Sequence, residues 1–91
     1  MKDLRASPSR EDVREQIARL MSEIAGIPID CATDAATLDG TLQMQSVQFV
    51  ELQVAIEDEY QIEIDPIRVV ELNGLGAIVE YIHDCIRQAA R

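Results

Sequence analysis

One stretch of the chain combines a hydroxyl with a regular pattern of apolar and acidic side chains. It runs from Leu42 to Tyr60, LQMQSVQFVELQVAIEDEY, and Ser46 lies where apolar residues begin to follow helical spacing. A serine at the start of a helix can cap that helix, or its hydroxyl can stay exposed at the helix mouth. The surroundings of Ser46 therefore decide which chemistry this chain supports.

Two apolar stripes are predicted on the helix that begins at Ser46. The first, which is expected to face the core, comprises Phe49, Leu52, Ile56 and Tyr60. The second, which is offset from the first, comprises Val47, Val50 and Val54. Two interpretations stay open for the valines: burial in a small helical bundle, or exposure as a docking patch for a partner protein. Acidic residues, including Glu51 and Asp58, rim the helix in either case.

The histidine and the cysteines form no pattern of a catalytic site. His83 is the only histidine, and no nucleophile in a matching pattern stands beside it, so no catalytic triad is predicted. Cys31 and Cys85 are far apart in sequence and form no CxxC pair, which argues against a disulfide framework or a zinc site. Both thiols are expected to be reduced. We predict no catalytic residues.

Two further patterns resemble ligand-binding motifs without meeting their requirements. The segment from Ile27 to Thr41 contains three aspartates: Asp30, Asp34 and Asp39. They lack the alternating ligands and the closing glutamate of a calcium-binding loop, so no metal site is predicted. The segment Gly74-Leu75-Gly76 lacks the third glycine of a dinucleotide fingerprint and follows a predicted helix instead of a strand. We interpret it as a turn.

Negative charge is concentrated in the middle of the chain. The net charge is -9, and no lysine or arginine occurs from Leu20 to Ile67. That segment holds ten acidic residues: Glu23, Asp30, Asp34, Asp39, Glu51, Glu57, Asp58, Glu59, Glu63 and Asp65. A field of one sign repels nucleic acids and anionic membranes, and it attracts basic protein surfaces. We therefore expect basic protein partners, although a solvated face that serves only solubility stays open.

The first helix is predicted from its start signal and its apolar stripe. It begins either at Ser7-Pro8 or at Ser9, which is followed by Asp12 three residues later. Its apolar stripe comprises Val13, Ile17, Leu20, Met21 and Ile24. Gly26 predicts its end. A long loop from Ile27 to Thr41 then packs on the bundle through its isolated apolar residues Ile27, Ile29 and Leu38.

Two more helices are predicted after Tyr60. Ile62 and Ile64 alternate with polar residues but have no partner strand, which indicates an extended connector. A short helix follows from Pro66 to Leu72, with Asn73-Gly74 as its stop. The last helix is amphipathic and carries Ile78, Val79, Ile82, Cys85 and Ile86, with Arg87 and Arg91 near its end.

These elements predict an all-α bundle of three main helices and one short helix, with a long first loop. The 91 residues suffice for one domain, which we assign to residues 9–91 after an N-terminal extension of residues 1–8. Residues 1–6 are charged and lack the apolar run of a secretory signal, and no segment has the length of a membrane span. A monomer in the cytoplasm is expected.

The central stretch resembles the acyl carrier protein family. The resemblance is carried by L-x-M-x-S-V-x-F-V-E-L followed by E-D-E-Y-x-I-E-I, and it covers roughly residues 13–86. It implies a four-helix acyl-carrier-type bundle in which Ser46 carries a 4′-phosphopantetheine arm. A separate phosphopantetheinyl transferase would install this arm from coenzyme A. By matching positions, the resemblance also implies that Val47 and Glu51 face partner enzymes.

Three glutamines depart from the family pattern around the serine. The family has an aspartate where this chain has Gln45, usually a glycine where it has Gln43, and commonly an acidic residue where it has Gln48. The serine itself is retained. These departures bear on which transferase installs the arm, and they favour a specialised pathway over housekeeping fatty-acid synthesis.

The predicted function is to carry acyl or aminoacyl intermediates as thioesters, in polyketide, fatty-acid-like or nonribosomal peptide biosynthesis. The predicted partners are acyltransferases, ketosynthases or adenylation-type enzymes with basic docking surfaces. They are expected to contact Val47, Val50, Glu51, Val54 and Asp58. The alternative is an acidic helical adaptor that is never modified, in which Ser46 is an ordinary N-cap.

Overall fold

The computed structural model describes residues 8–40 and 42–89, and these residues form a helical bundle. The elements, in chain order, are α1 (Arg10–Ala25), a short 3₁₀ helix (Ile29–Cys31), α2 (Ser46–Tyr60), α3 (Pro66–Leu72) and α4 (Leu75–Ala89). No strand occurs in the described residues, where Thr37 and Gly74 form an isolated β-bridge. The predicted all-α bundle of three main helices and one short helix is confirmed.

The start of α1 is fixed by Ser9, one of the two predicted alternatives. The Ser9 hydroxyl accepts a hydrogen bond from the backbone N–H of Asp12 at 3.0 Å, and the Asp12 carboxylate accepts one from the N–H of Ser9 at 3.2 Å. This reciprocal pair satisfies two N–H groups that have no partner within the helix. Gly26 ends the helix in the left-handed conformation, with φ 70°.

The core lies where α1 packs against α2 and α4. Its fully buried side chains are aliphatic, as the low aromatic content predicts: Val13, Ile17, Met21, Leu75, Val79 and Ile82. Leu52 and Ile56 bring α2 into this core, whereas Phe49 and Tyr60 are only half-buried at its edge. One face of α2 is therefore anchored to the bundle.

The long first loop packs on the bundle through Ile27 and Leu38, as predicted. The same prediction is wrong for Ile29, which lies in the 3₁₀ helix and is exposed. Two small residues, Ala32 and Ala36, are buried instead. Short side chains let the loop backbone approach the helices closely, a signal that an apolar pattern alone does not reveal.

The turn predicted at Gly74-Leu75-Gly76 is shorter in the structure, because only Gly74 of these three residues lies between α3 and α4. Leu75 is already the first residue of α4, so Gly76 lies inside the helix. The backbone N–H groups of Leu75 and Gly76 donate to the carbonyls of Ala36 and Asp34, which caps α4 from the first loop. A Cβ on Gly76 would lie 3.1 Å from the Cβ of Asp34, which explains a glycine there.

The remaining sequence predictions for the second half of the chain hold where residues are described. Asp65 caps α3, and Ile62 and Ile64 are buried in an extended connector. His83 approaches the carbonyl oxygen of Pro8, with Nε2 at 3.1 Å. Arg87 lies in the last turn of α4, whereas Arg91 lies outside the described residues. None of the helices so described is long and apolar enough to cross a membrane.

Candidate functional site

Ser46 is the first residue of α2, and its side chain is exposed. The helix is capped by the residue before it: Gln45 is extended, with φ -80° and ψ 158°, and its carbonyl accepts from the N–H of Phe49 at 2.9 Å. The N–H of Gln45 donates to Oε1 of Gln48 at 3.0 Å. Within the described residues the Ser46 hydroxyl makes no hydrogen bond, so the fold does not use it as a cap.

The chain before Ser46 is held by the first loop. The N–H of Leu42 donates to the carbonyl of Thr37 at 3.0 Å, and the N–H of Met44 donates to the carbonyl of Leu38 at 3.2 Å. Leu42 is buried. These contacts fix the direction in which the chain enters α2, and so they position Ser46 at the surface.

Asn73 connects this loop to the end of α3. Its Oδ1 accepts from the N–H of Leu38 at 3.1 Å, and its Nδ2 donates to Oδ1 of Asp39 at 3.1 Å. Sequence analysis predicted Asn73 only as part of a helix stop. No local pattern signals the second role, because its partners lie 34 and 35 positions earlier in the chain.

A groove of about 410 Å³ opens beside Ser46. Its other lining residues come from the loop, α2 and α3, and include Leu38, Asp39, Met44, Phe49, Val70 and Glu71. Apolar side chains supply most of the lining surface, which also includes the carboxylates of Asp39 and Glu71. Sequence analysis did not predict the groove, because its walls meet only after the loop and α3 have packed.

Gln43, three residues before Ser46, adopts a backbone conformation that favours glycine. Its φ is 50°, in the left-handed region. This is the position where the resemblance leads one to expect a glycine. Although the residue is a glutamine, the backbone has the conformation that a glycine favours. Gln43 is therefore strained where a glycine would not be.

The valine stripe of α2 is exposed. Val47, Val50 and Val54 are 62%, 55% and 58% exposed, whereas Leu52 and Ile56 on the opposite stripe are 4% and 2% exposed. The interpretation in which both stripes are buried is wrong. Because α1 packs against the buried face of α2, the offset valines are left at the surface.

Exposed charge and further apolar surface accompany the valines. Glu51 and Asp58 are exposed, and neither forms an ion pair within the described residues. The ion pairs found there involve Arg10, Arg14 and Arg87, with partners in α1, α4 and the first loop. Ile67 and Val70 on α3 are also exposed. The sequence reading had not placed these two α3 residues at the surface.

No group of three or more potential metal ligands comes together in the part of the chain that the structure describes. Cys31 is exposed, Cys85 is half-buried, and both are free thiols. The geometry around Ser46 consists of an exposed hydroxyl at a helix start, beside an apolar groove and an exposed apolar stripe.

The comparisons with known proteins agree with this geometry. Residues 15–82 match the family described as the phosphopantetheine attachment site. The chain is 30% identical over 81 residues to an acyl carrier protein of Saccharopolyspora erythraea, covering 89% of this chain and 85% of that protein. It is 32% identical over 74 residues to an acyl carrier protein of Lactobacillus johnsonii, covering 81% and 92% of the two chains.

The protein belongs to the acyl carrier protein family. It is a carrier and not a catalyst, and it holds acyl groups on covalently bound 4′-phosphopantetheine. Its family implies that it meets a phosphopantetheinyl transferase and biosynthetic enzymes. The resemblance stated from the sequence is thereby confirmed.

The residues at the start of α2 fit a phosphodiester group. The first N–H groups of a helix have no partner within the helix, and the helix dipole favours an anion at this end. The first turn of α2 contains no acidic residue that would repel one, because Gln48 stands where the family commonly has an acid. The unbonded hydroxyl of Ser46 is accessible for the ester bond.

Proposed function

We propose that Ser46 carries the phosphopantetheine arm, installed from coenzyme A by a separate transferase. The observation that carries this proposal is the exposed hydroxyl of Ser46, which makes no hydrogen bond in the described residues while Gln45 and Gln48 organise the helix start. Ser9, the other serine that is exposed in the described part of the chain, has its hydroxyl engaged in a helix cap. Ser22 lies within α1, away from any helix start.

The position of Ser46 also favours the product of the transfer. A phosphodiester at the N-terminus of α2 is stabilised by the helix dipole, by roughly 0.3 to 1 kcal/mol. The apolar groove beside it, formed in part by Met44, Phe49 and Val70, offers a surface for the arm. This chain would supply the acceptor hydroxyl and its placement, and the transferase would supply the catalytic groups.

Intact mass tests the attachment site. We expect a broad-specificity transferase with coenzyme A to add one arm to the wild type and none to Ser46→Ala. Ser22→Ala is the matched control and should be modified at the wild-type rate. An arm on the Ser46→Ala variant would assign attachment to another residue, whereas an unmodified wild type would favour the unmodified acidic adaptor.

We further propose that partner enzymes dock on the exposed face of α2, formed by Val47, Val50, Glu51, Val54 and Asp58. The valines provide apolar surface, and the carboxylates provide charge for lysine and arginine side chains of acyltransferases, ketosynthases or adenylation-type enzymes. Both features lie on the helix that begins at Ser46. Electrostatic attraction of this kind raises the association rate and weakens as salt is added.

Charge reversal tests the docking face. Glu51→Lys with Asp58→Lys should slow transfer between this protein and a partner enzyme and reduce the salt dependence of the association rate. Glu15→Lys with Glu23→Lys, at two exposed residues of α1, makes the same change in net charge without touching α2 and is the control. Equal effects at both sites would show that only the net charge matters.

We also propose that the carrier works in a specialised pathway, of the polyketide, fatty-acid-like or nonribosomal peptide type. The support is the set of glutamines around the serine: Gln43, Gln45 and Gln48. A dedicated carrier can follow a dedicated transferase, so its recognition residues are free to differ from the common pattern.

A further inference from the structure

Gln53 is the only polar side chain among the described residues that is buried, at 9% exposed. Its amide nitrogen, Nε2, has no hydrogen-bond partner there. Buried polar groups are nearly always paired, because an unpaired donor loses its water without compensation. Because no described residue pairs with this donor, it is available to an acceptor from outside the described part of the chain.

The position of Gln53 relates it to Ser46. Ser46, Phe49 and Gln53 are spaced i, i+3 and i+7, so they lie on one face of α2. At about 1.5 Å per residue, Gln53 is roughly 10 Å along the helix from Ser46. Phe49 lines the groove beside Ser46 and is one turn before Gln53. Gln53 does not itself line the groove, but it follows the groove residue Phe49 by one turn on the same face of α2.

We propose that Nε2 of Gln53 donates a hydrogen bond to a carbonyl or hydroxyl oxygen that the acyl chain carries beyond its first carbonyl, the one that joins it to the arm. The carrier would then favour oxygenated acyl chains over saturated hydrocarbon chains. This inference rests on the proposed attachment at Ser46. An acyl chain tethered there has a high effective concentration at the groove, so one hydrogen bond is enough to change where it rests.

The apolar lining of the groove would not make this distinction. Leu38, Met44, Phe49 and Val70 contact a saturated chain and an oxygenated chain of the same length about equally well. A saturated chain leaves the Gln53 amide unpaired, whereas an oxygen at the right position pairs it. The preference therefore depends on a single donor.

The test compares two acyl chains on the full-length protein. Amide-linked hexanoyl and 3-oxohexanoyl pantetheine groups are loaded on separate samples, and intact mass confirms loading. The side-chain amide signal of Gln53 is assigned by its loss in Gln53→Leu and followed by ¹H–¹⁵N NMR. We expect the 3-oxohexanoyl chain to shift this signal and to slow its proton exchange about fivefold, as for one neutral hydrogen bond, and the hexanoyl chain to do neither.

A second variant extends the test beyond the amide itself. Gln53→Met keeps the length of the side chain and removes the donor, so the two acyl chains should perturb the Phe49 signals equally in this variant. Gln88→Leu, which removes an exposed glutamine on α4, should retain the wild-type difference.

The outcomes separate this inference from the proposed function. A loaded sample in which Gln53 responds to neither chain would overturn the inference and assign the donor to an internal water, with Ser46 still the attachment site. Equal responses to the two chains would also overturn it. Failure to load at all would instead count against Ser46.

Discussion

Two helices of this protein begin next to a serine, and the fold treats the two serines differently. Ser9 stands before α1, and its hydroxyl accepts from the N–H of Asp12 at 3.0 Å. Ser46 is the first residue of α2, one position further into its helix, and its hydroxyl is unbonded within the described residues. The serine at the N-cap position therefore stabilises its helix, whereas the serine one position later has an exposed hydroxyl that the helix does not use.

The charges around the two helix starts differ in the same way. The first turn of α1 contains Glu11 and Asp12, which complement the helix dipole. Hydrogen bonding from Arg14 lowers the pKa of Glu11, so its carboxylate stays ionised to lower pH than usual. The first turn of α2 contains no acidic residue. The start of α1 is stabilised by its own side chains, whereas the start of α2 is left open to a bound anion.

Exchanging each serine for alanine should separate the two roles completely. Ser46→Ala should abolish addition of the arm and leave the free energy of unfolding within about 0.5 kcal/mol of wild type, since it removes an exposed group. Ser9→Ala should keep full modification and lose about 1 kcal/mol, the usual value of an N-cap. Mass spectrometry and urea denaturation measure both. Loss of stability in Ser46→Ala with none in Ser9→Ala would reverse the comparison.

The next largest expected difference is in the free energy of unfolding, between substitutions on the two faces of α2. Leu52→Ala removes a buried side chain and should cost about 2 to 5 kcal/mol. Val50→Ala removes an exposed one and should cost less than about 0.5 kcal/mol, yet slow transfer to a partner enzyme. Urea denaturation and a transfer assay separate the faces. A cost above about 1 kcal/mol for Val50→Ala would place that residue in the core.

Much of the fold follows from local sequence. The reciprocal contacts of Ser9 and Asp12, the stop at Gly26 and the Asp65-Pro66 start are signals contained within a few residues. Ser46 could be singled out because apolar spacing begins directly after it. Whether the valine stripe was buried could not be decided, because it depends on how many neighbours α2 has.

The unpredicted features depend on contacts between distant parts of the chain. The side-chain hydrogen bonds of Asn73, the burial of Gln53 and the exposure of Ile29 each follow from how the first loop and the helices pack. The cap role of Gln45 was missed for another reason. Glutamine is not a preferred cap, so Ser46 was the better candidate by residue type.

Gln45→Asp should raise the catalytic efficiency of a generic transferase on this protein about tenfold. The hypothesis is that this chain is modified slowly by a generic transferase, because Gln45 presents a neutral amide where an aspartate would present a charge. One charge contact with a basic group of the transferase corresponds to about 1.4 kcal/mol. The measurement is the catalytic efficiency for wild type and variant.

The structure shows that the same change also alters the helix cap, so a second variant is needed. Asparagine caps a helix about as well as aspartate but carries no charge. Gln45→Asn should therefore stabilise α2 like Gln45→Asp and leave the transferase at its wild-type efficiency. If the two variants accelerate the transferase equally, the enzyme responds to the order of the helix start and not to charge.

The smallest expected effect concerns the strained residue before Ser46. Gln43 has φ 50°, and a residue other than glycine is strained in this region by roughly 1 kcal/mol. Glycine removes this strain, but its greater freedom in the unfolded chain cancels part of the gain in stability. Gln43→Gly should therefore raise the free energy of unfolding by about 0.5 kcal/mol.

Gln61 provides the matched control, because it has nearly the same φ, 55°, at the other end of α2. Its Nε2 donates to the carbonyl of Asp58 at 2.7 Å, a bond that Gln61→Gly would remove. That loss, about 0.5 to 1.5 kcal/mol, offsets or exceeds the relief of strain, so Gln61→Gly should be neutral or destabilising. Urea denaturation of both variants measures the difference. If Gln43→Gly is destabilising as well, the Gln43 side chain stabilises the segment that leads into α2, despite its exposed position. The start of α2 would then be held by its own side chains more than the comparison with α1 implies.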